Sequence, residues 1–188
     1  MNTNDNKRTG PSVEIHKAQL KDLEQLQQIC INAYSQNFAH HWNEGGLDWY
    51  LGNQFATEHL REAIESAETD YYFITSANLV VGFCKLGYAG LAEPGNRWLE
   101  LEKIYMLPSE KGSGIGKSVL GLIIGIAKEK GAKALMLYVI DTNQAAIRFY
   151  ERNGFSFIKK ARLELPYFKE ELKGAWQMIK RIDTVPLR

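Results

Sequence analysis

The chain has 188 residues, 45% hydrophobic and 24% charged, the balance of an ordinary folded domain rather than of a disordered or membrane-embedded protein. Its 23 basic and 22 acidic residues nearly cancel, so no overall field draws it to nucleic acid or to an anionic membrane surface. One hydrophobic core suits a chain of this length. Two cysteines, Cys30 and Cys84, show neither a disulfide framework nor metal-ligand spacing and read as buried free thiols.

The N-terminal stretch MNTNDNKRTGPS has no apolar segment of the signal-sequence kind. The longest apolar run, Val119 to Ala127, is too short to span a bilayer. A cytoplasmic protein without membrane contact is expected, with a disordered polar tail over residues 1–12, one domain over 13–183 and a C-terminal tail over 184–188.

Val13 to Ala18 reads as a short strand. Leu20, Leu23, Leu26, Ile29, Cys30, Ala33 and Tyr34 then recur at helical spacing, and Gly46 to Ala67 is helical in pattern as well. The aromatic-rich link Phe38 to Trp42 fits neither class and is a candidate substrate wall. Tyr71 to Thr75 and Leu79 to Leu86 form a predicted hairpin around Ser76, Ala77 and Asn78. Turn residues Glu93 to Asn96 precede a strand from Trp98 to Leu107, which ends at Pro108.

A helix from about Gly114 to Lys130 puts Ile115, Val119, Leu122, Ile123 and Ile126 on one face, with Gly131 where a left-handed cap belongs. The unbroken apolar run Ala134 to Ile140 predicts a central strand covered on both faces. Asn143 to Asn153 reads as a short helix stopped by Gly154, with Phe155 placed for the contact that follows such a cap. Strands over Phe155 to Leu165 and Ala175 to Ile182 complete a mixed α/β sheet of about six or seven strands covered by helices.

The segment LELEKIYMLPSEKGSGIGKSVLGLIIGIAKEKG runs from a strand through a glycine-rich turn into an amphipathic helix. Gly112, Gly114 and Gly116 lack a Cβ, so backbone N–H groups there can approach an anion and converge with the positive end of the helix dipole. Lys111, Lys117, Ser113 and Ser118 add charge and donors, which suits a phosphate chain. The plainer reading is a flexible turn with glycines for geometry alone.

GSGIGKS also looks like the end of a nucleotide-binding P-loop, with LMLYVID imitating its metal-binding strand. That motif needs glycine where Lys111 stands, and too few strand and helix units follow it for a parallel nucleotide-binding sheet. Within the preceding strand, Leu99 and Leu101 share a face, whereas Ile104 and Met106 have the opposite parity. A bulge near Glu102 and Lys103 would restore one apolar face and leave backbone groups free for a ligand; burial on both faces would explain the pattern equally.

These residues resemble the GNAT superfamily of N-acetyltransferases from about Val13 to Ile182. The family's R/Q-x-x-G-x-G/A turn reads here Lys111, Gly112, Ser113, Gly114, Ile115, Gly116, with lysine in place of arginine or glutamine. Its second pattern is matched in DTNQAAIRFYERNGF at Asn143, Ala146, Phe149, Tyr150 and Gly154-Phe155. The resemblance implies a mostly antiparallel acyl-CoA N-acyltransferase sheet with helices on both faces, acetyl-CoA as cofactor, and a homodimer as the family-level expectation.

It further implies that Ile104, Tyr105 and Met106 offer backbone partners to the pantetheine arm, while Asn143, Ala146 and the helix bearing Tyr150 flank the thioester. LELEKIYMLP and the aromatic region before it are similar to bacterial spermine/spermidine acetyltransferases, which points to a small primary amine, a polyamine or else an amino-acid or protein N-terminal amine.

An alkylamine with a pKa near 10.4 must lose a proton, at about 4–5 kcal/mol at neutral pH, before it attacks. Glu102 is the first candidate base and Glu100 the second; either is otherwise a solvated strand charge. In the family arrangement Tyr150 faces the cofactor sulfur and is the natural acid for the leaving thiolate, although Ala146, Phe149 and Tyr150 also form a stripe that a core would use. Tyr34, Phe38 and Trp42, with Glu100, are the candidate amine pocket. His40, His41 and Trp42 read either as cation–π and acceptor contacts there or as a partly exposed link. No metal-site spacing or serine nucleophile motif occurs, so direct transfer is expected. A non-catalytic acyl-CoA-binding module is the remaining alternative.

Overall fold

The structure is a computed structural model that describes residues 12–92 and 97–182. The expected tails, Ser12 apart, and the turn Glu93 to Asn96 lie outside the described residues. Seven strands, Val13–Lys17 (β1), Thr69–Ser76 (β2), Leu79–Gly87 (β3), Trp98–Met106 (β4), Ala134–Ile140 (β5), Ser156–Arg162 (β6) and Gly174–Arg181 (β7), form one sheet. Their order is β1-β2-β3-β4-β5-β7-β6. Among the described residues only β4 and β5 run parallel.

Among the described residues five α-helices accompany the sheet: Leu23–Phe38 (α1), Gly46–Phe55 (α2), Thr57–Glu65 (α3), Ile115–Glu129 (α4) and Gln144–Arg152 (α5). The single helix expected over Gly46 to Ala67 is in fact two. Ala56 turns to ψ 147°, which ends one helix at Phe55 and starts the next at Thr57. Tertiary contacts stabilise this break, because Phe55 and Leu60 are each fully buried and Gln27 Nε2 donates to the Phe55 carbonyl at 2.8 Å.

Two apolar clusters sit on opposite sheet faces. One joins α4 and α5 to Leu99, Leu101, Leu135, Leu137 and Met178; the other joins α1, α2 and α3 to Tyr71, Phe73 and Phe83. Along β2, Tyr71 and Phe73 belong to one cluster and Tyr72 and Ile74 to the other, as the two-residue period of a pleated strand requires. Cover on the second face thins out beyond β4. Tyr138 of β5 is 42% exposed and Ile158 of β6 is 51% exposed, so the expectation that β5 is covered on both faces fails at Tyr138. The physical reason is placement: α1 packs chiefly on β3 and β4, and α3 on β2.

The hairpin turns through Ala77 and Asn78, both at positive φ (48° and 65°), the handedness that suits the twist of two-residue hairpins. Two local caps also form as expected. Gly131 at φ 70° ends α4, and the Ala132 N–H reaches back to Ala127 at 2.9 Å. Gly154 at φ 84° ends α5, and the Phe155 N–H reaches back to Tyr150 at 3.0 Å.

Candidate active site

The register of β3 against β4 slips at one place. Lys85 lies opposite Lys103 and Leu86 opposite Leu101, which leaves Glu102 as the inserted residue. The bulge is therefore present where the parity change points to it. Leu99, Leu101, Ile104 and Met106 all pack with the α4 and α5 cluster, whereas Tyr105 packs with the α1 cluster.

On its other edge β4 pairs with β5 only from Trp98 to Glu100, against Ala134 to Met136. Beyond that the two strands part, and β5 continues to Ile140 bonded only to β7. The sheet thus has an opening between the C-terminal halves of two parallel strands, at the level of the bulge.

Two cavities meet at this opening. One, of about 140 Å³, is lined by Ile104, Asn143, Ala146 and Tyr150. The other, of about 180 Å³, is lined by Tyr34, Tyr50, Lys103 and Phe168. Phe38, Glu102, Tyr105, Tyr138, Val139 and Ile140 belong to both linings, so the opening is the common wall.

On the first side, Asn143 caps α5, its Oδ1 accepting from the Ala146 N–H at 3.1 Å. The Tyr150 ring meets Phe149 and Phe155 edge-on at centroid distances of 5.3 and 5.4 Å, which fixes its orientation. Burial pushes its phenol up to about 12, so it stays protonated through the neutral range.

On the second side, Tyr34 stacks on Tyr50 at 4.4 Å and meets Tyr105 edge-on at 5.4 Å. Phe38 meets Tyr105 at 5.0 Å, and Asn37 Nδ2 donates to the Met106 carbonyl at 2.8 Å, tying α1 to the end of β4. Glu102 is held by Lys85, Nζ to Oε2 2.6 Å. Lys103 Nζ donates to Gln54 Oε1 at 3.1 Å, and burial together with the Lys85 charge pulls its pKa down to about 8.

The glycine-rich turn lies between β4 and α4. Gly112 and Gly114 adopt φ 81° and 83°, a backbone that L side chains rarely take, and a Cβ on either would face open space. Ser113 spends its hydroxyl on the turn, donating to the Glu110 carbonyl at 2.7 Å. Lys111, Lys117 and Ser118 are exposed around the first turn of α4, whereas the Ile115 side chain is in the core and only its backbone is available to a ligand. Gly116 is different: a Cβ there would lie 3.4 Å from Phe149 and 3.6 Å from Met106, so it sets the approach of α4 to α5 and β4. The turn thus offers first-turn amides, which an α-helix leaves without internal partners, beside two lysines.

Of the four candidate amine-pocket residues, Trp42 and Glu100 line neither cavity. Trp42 is buried against Tyr50 and Phe168 and is bridged to Phe168 through the backbone. Glu100 is half-buried, its pKa raised by burial and by the neighbouring Glu102 charge. His40 is exposed, while His41 stacks on Phe168 at 5.9 Å with its pKa lowered by burial. Conversely, Tyr50, Lys103, Tyr138 and Phe168 join the site without having been selected; the one sequence signal among them is a lysine in mid-strand, directly before Ile104 and Tyr105.

Residues 36–155 match the Acetyltransferase (GNAT) family, and the chain belongs to it. The protein is an N-acetyltransferase that uses acetyl-CoA, which retires the P-loop reading and the non-catalytic one; the mostly antiparallel sheet is likewise not that of a P-loop nucleotide-binding domain. It is 27% identical over 148 residues to a spermidine N(1)-acetyltransferase of Thermoplasma acidophilum, covering 77% of this chain and 88% of that one. An uncharacterised N-acetyltransferase of Methanocaldococcus jannaschii is 35% identical over 164 residues, 86% of this chain and 63% of the other. Among solved structures, the PaiA N-acetyltransferase of Thermoplasma acidophilum in complex with coenzyme A superposes with a TM-score of 0.71 at 22% identity, covering 90% of this chain and 99% of that one. No helix among the described residues is long and apolar enough to cross a membrane.

Proposed function

We propose that the protein acetylates a primary amine of a small molecule by direct transfer across the opening between β4 and β5. The observation that carries this reading is the pair of cavities sharing Glu102, Tyr105 and Tyr138, with Tyr150 on one side and an aromatic chamber on the other.

Acetyl-CoA, when bound, supplies the acetyl group as an activated thioester. The turn from Lys111 to Ser118 suits its diphosphate: the αL glycines leave space above the backbone, and lysines and first-turn amides supply the positive potential. Ile104 and Met106 would hold the pantetheine arm through backbone groups on the edge of β4 that β5 leaves.

The aromatic walls of the second cavity exclude water and present π faces to an ammonium. Glu102, common to both linings, takes the proton that the amine must shed, directly or through one water. A backbone N–H at the Glu102–Lys103 bulge is the donor for the developing oxyanion. The Tyr150 hydroxyl would supply the proton that the thiolate of coenzyme A needs on leaving and would regain one from solvent.

Similarity to a spermidine N(1)-acetyltransferase supports a polyamine acceptor. The lysine in the chamber favours a second class, amines that also carry an anion. Thiol release from acetyl-CoA, measured with polyamines, amino acids and peptides, tests the reading; stimulation by none of them would end it. Two buried free thiols, Cys30 and Cys84, suit the reducing cytoplasm, where we place the enzyme.

A further inference from the structure

The acceptor chamber contains a charge that the transfer chemistry leaves unused. Lys103 is mostly buried and lines the chamber beside Tyr34, Tyr50 and Phe168. Its ammonium donates to a neutral partner, Gln54 Oε1, at 3.1 Å. Among the described residues no carboxylate is within ion-pairing distance of it. Glu102, the acidic residue of the same lining, already has its counter-ion in Lys85 at 2.6 Å. The chamber therefore offers one neutralised carboxylate and one ammonium without an anion.

A buried cation without a partner is costly, and the cost disappears when an anion arrives. An incoming polyamine would instead add further positive charge to a poorly solvated space that already holds one.

We propose that Lys103 receives a carboxylate of the acceptor, so that the substrate is a small molecule bearing both a primary amine and a carboxylate, of the amino-acid class, rather than a polyamine. This rests on the acetyl-transfer reading above. The contact is a charge-assisted hydrogen bond between the Lys103 Nζ and the acceptor carboxylate, with the aromatic walls packing the stem between carboxylate and amine. With a pKa of about 8, Lys103 is still the cation at neutral pH.

The test compares acceptors matched in length with and without a carboxylate: lysine against cadaverine, and 4-aminobutyrate against butylamine, with spermidine alongside. Initial rates of thiol release are measured for the wild type, Lys103→Met and Lys103→Arg. The wild type is expected to favour the carboxylate-bearing member of each pair by roughly 10- to 100-fold in kcat/KM, the difference residing in KM. Lys103→Met should collapse that ratio, and Lys103→Arg should keep most of it. Calorimetric binding of lysine to the CoA-loaded protein gives a readout independent of turnover, and it should weaken in Lys103→Met by the same factor. A wild type that prefers cadaverine or spermidine, or a Lys103→Met that lowers both members of each pair alike, would overturn the proposal while leaving acetyl transfer intact. Absence of thiol release with every amine would instead bring down the transfer reading itself.

Discussion

Lys85 Nζ stands 2.6 Å from Glu102 Oε2, at the bulge where β3 and β4 lose register and beside the point where β5 parts from β4. The ion pair fixes where the carboxylate points, and the Cβ-less Gly87 on β3 makes room for it: a Cβ there would collide with Glu102 Oε1.

The first prediction follows from that crowding. Glu102→Gln should lower kcat roughly 10²- to 10⁴-fold, the range of a lost general base. Gly87→Ala, which pushes the carboxylate aside without changing it, should lower kcat by about ten-fold or more. Stopped thiol-release assays, with thermal melts to show that both variants fold, check it; a Glu102→Gln enzyme of normal kcat would remove Glu102 from the mechanism.

Tyr150→Phe keeps the ring contacts with Phe149 and Phe155 and deletes only the hydroxyl. Turnover is expected to fall about 10²-fold, with CoA affinity within a few-fold of the wild type. Because the phenol is held up to about 12, Tyr150 should contribute no basic limb to the rate profile between about pH 6 and 10. An unchanged kcat in this variant argues for a purely structural ring.

Gly114 and Gly116 should respond oppositely to alanine. Gly114→Ala forces a side chain into φ 83° and should cost about 1–3 kcal/mol of stability. Gly116→Ala meets only ordinary contacts at 3.4 and 3.6 Å, so the free protein should hold its stability or gain up to about 1 kcal/mol. Both should weaken CoA binding, because the turn's backbone must approach the diphosphate closely. Melting curves with and without CoA separate the two effects.

Lys103→Met should stabilise the free protein at pH 7 by removing a desolvated ammonium. The sign in pH is set by the direction of the shift. With a folded pKa of about 8, below that of a free lysine, the folded state releases this proton first, so wild-type stability rises relative to the variant between about pH 8 and 10.5. The advantage of Lys103→Met, on the order of 3 kcal/mol below pH 8, should fade over that window. Paired denaturant melts at pH 7 and pH 10 measure it; a constant difference would mean that Lys103 is not desolvated.

Much of this was legible before any coordinates. Glycines at 112, 114, 131 and 154 mark backbone turns because positive φ is a local property, and the structure has each of them there. The parity change between Leu101 and Ile104 left a bulge and burial on both faces equally open, and the register of β3 against β4 decides for the bulge. The break at Ala56 was not legible. Both flanking segments keep helical periodicity, and the interruption comes from burial of Phe55 and Leu60 against α1 and the sheet.

The chamber itself was only half visible. Tyr34 and Phe38 lie in the aromatic region that stood out, but Trp42 of the same region packs on Phe168 outside both linings, and Phe168 and Tyr138 come from segments more than ninety residues along the chain. What the amino-acid order determined unaided were the strands, the turns, the helix caps and the family to which they belong, because each depends on neighbours a few residues apart. Which side chains share a wall, and that among the described residues Glu102 has a counter-ion while Lys103 has none, depended on the parting of β4 from β5 and on long-range packing, whose free energy is shared among residues that no local pattern connects.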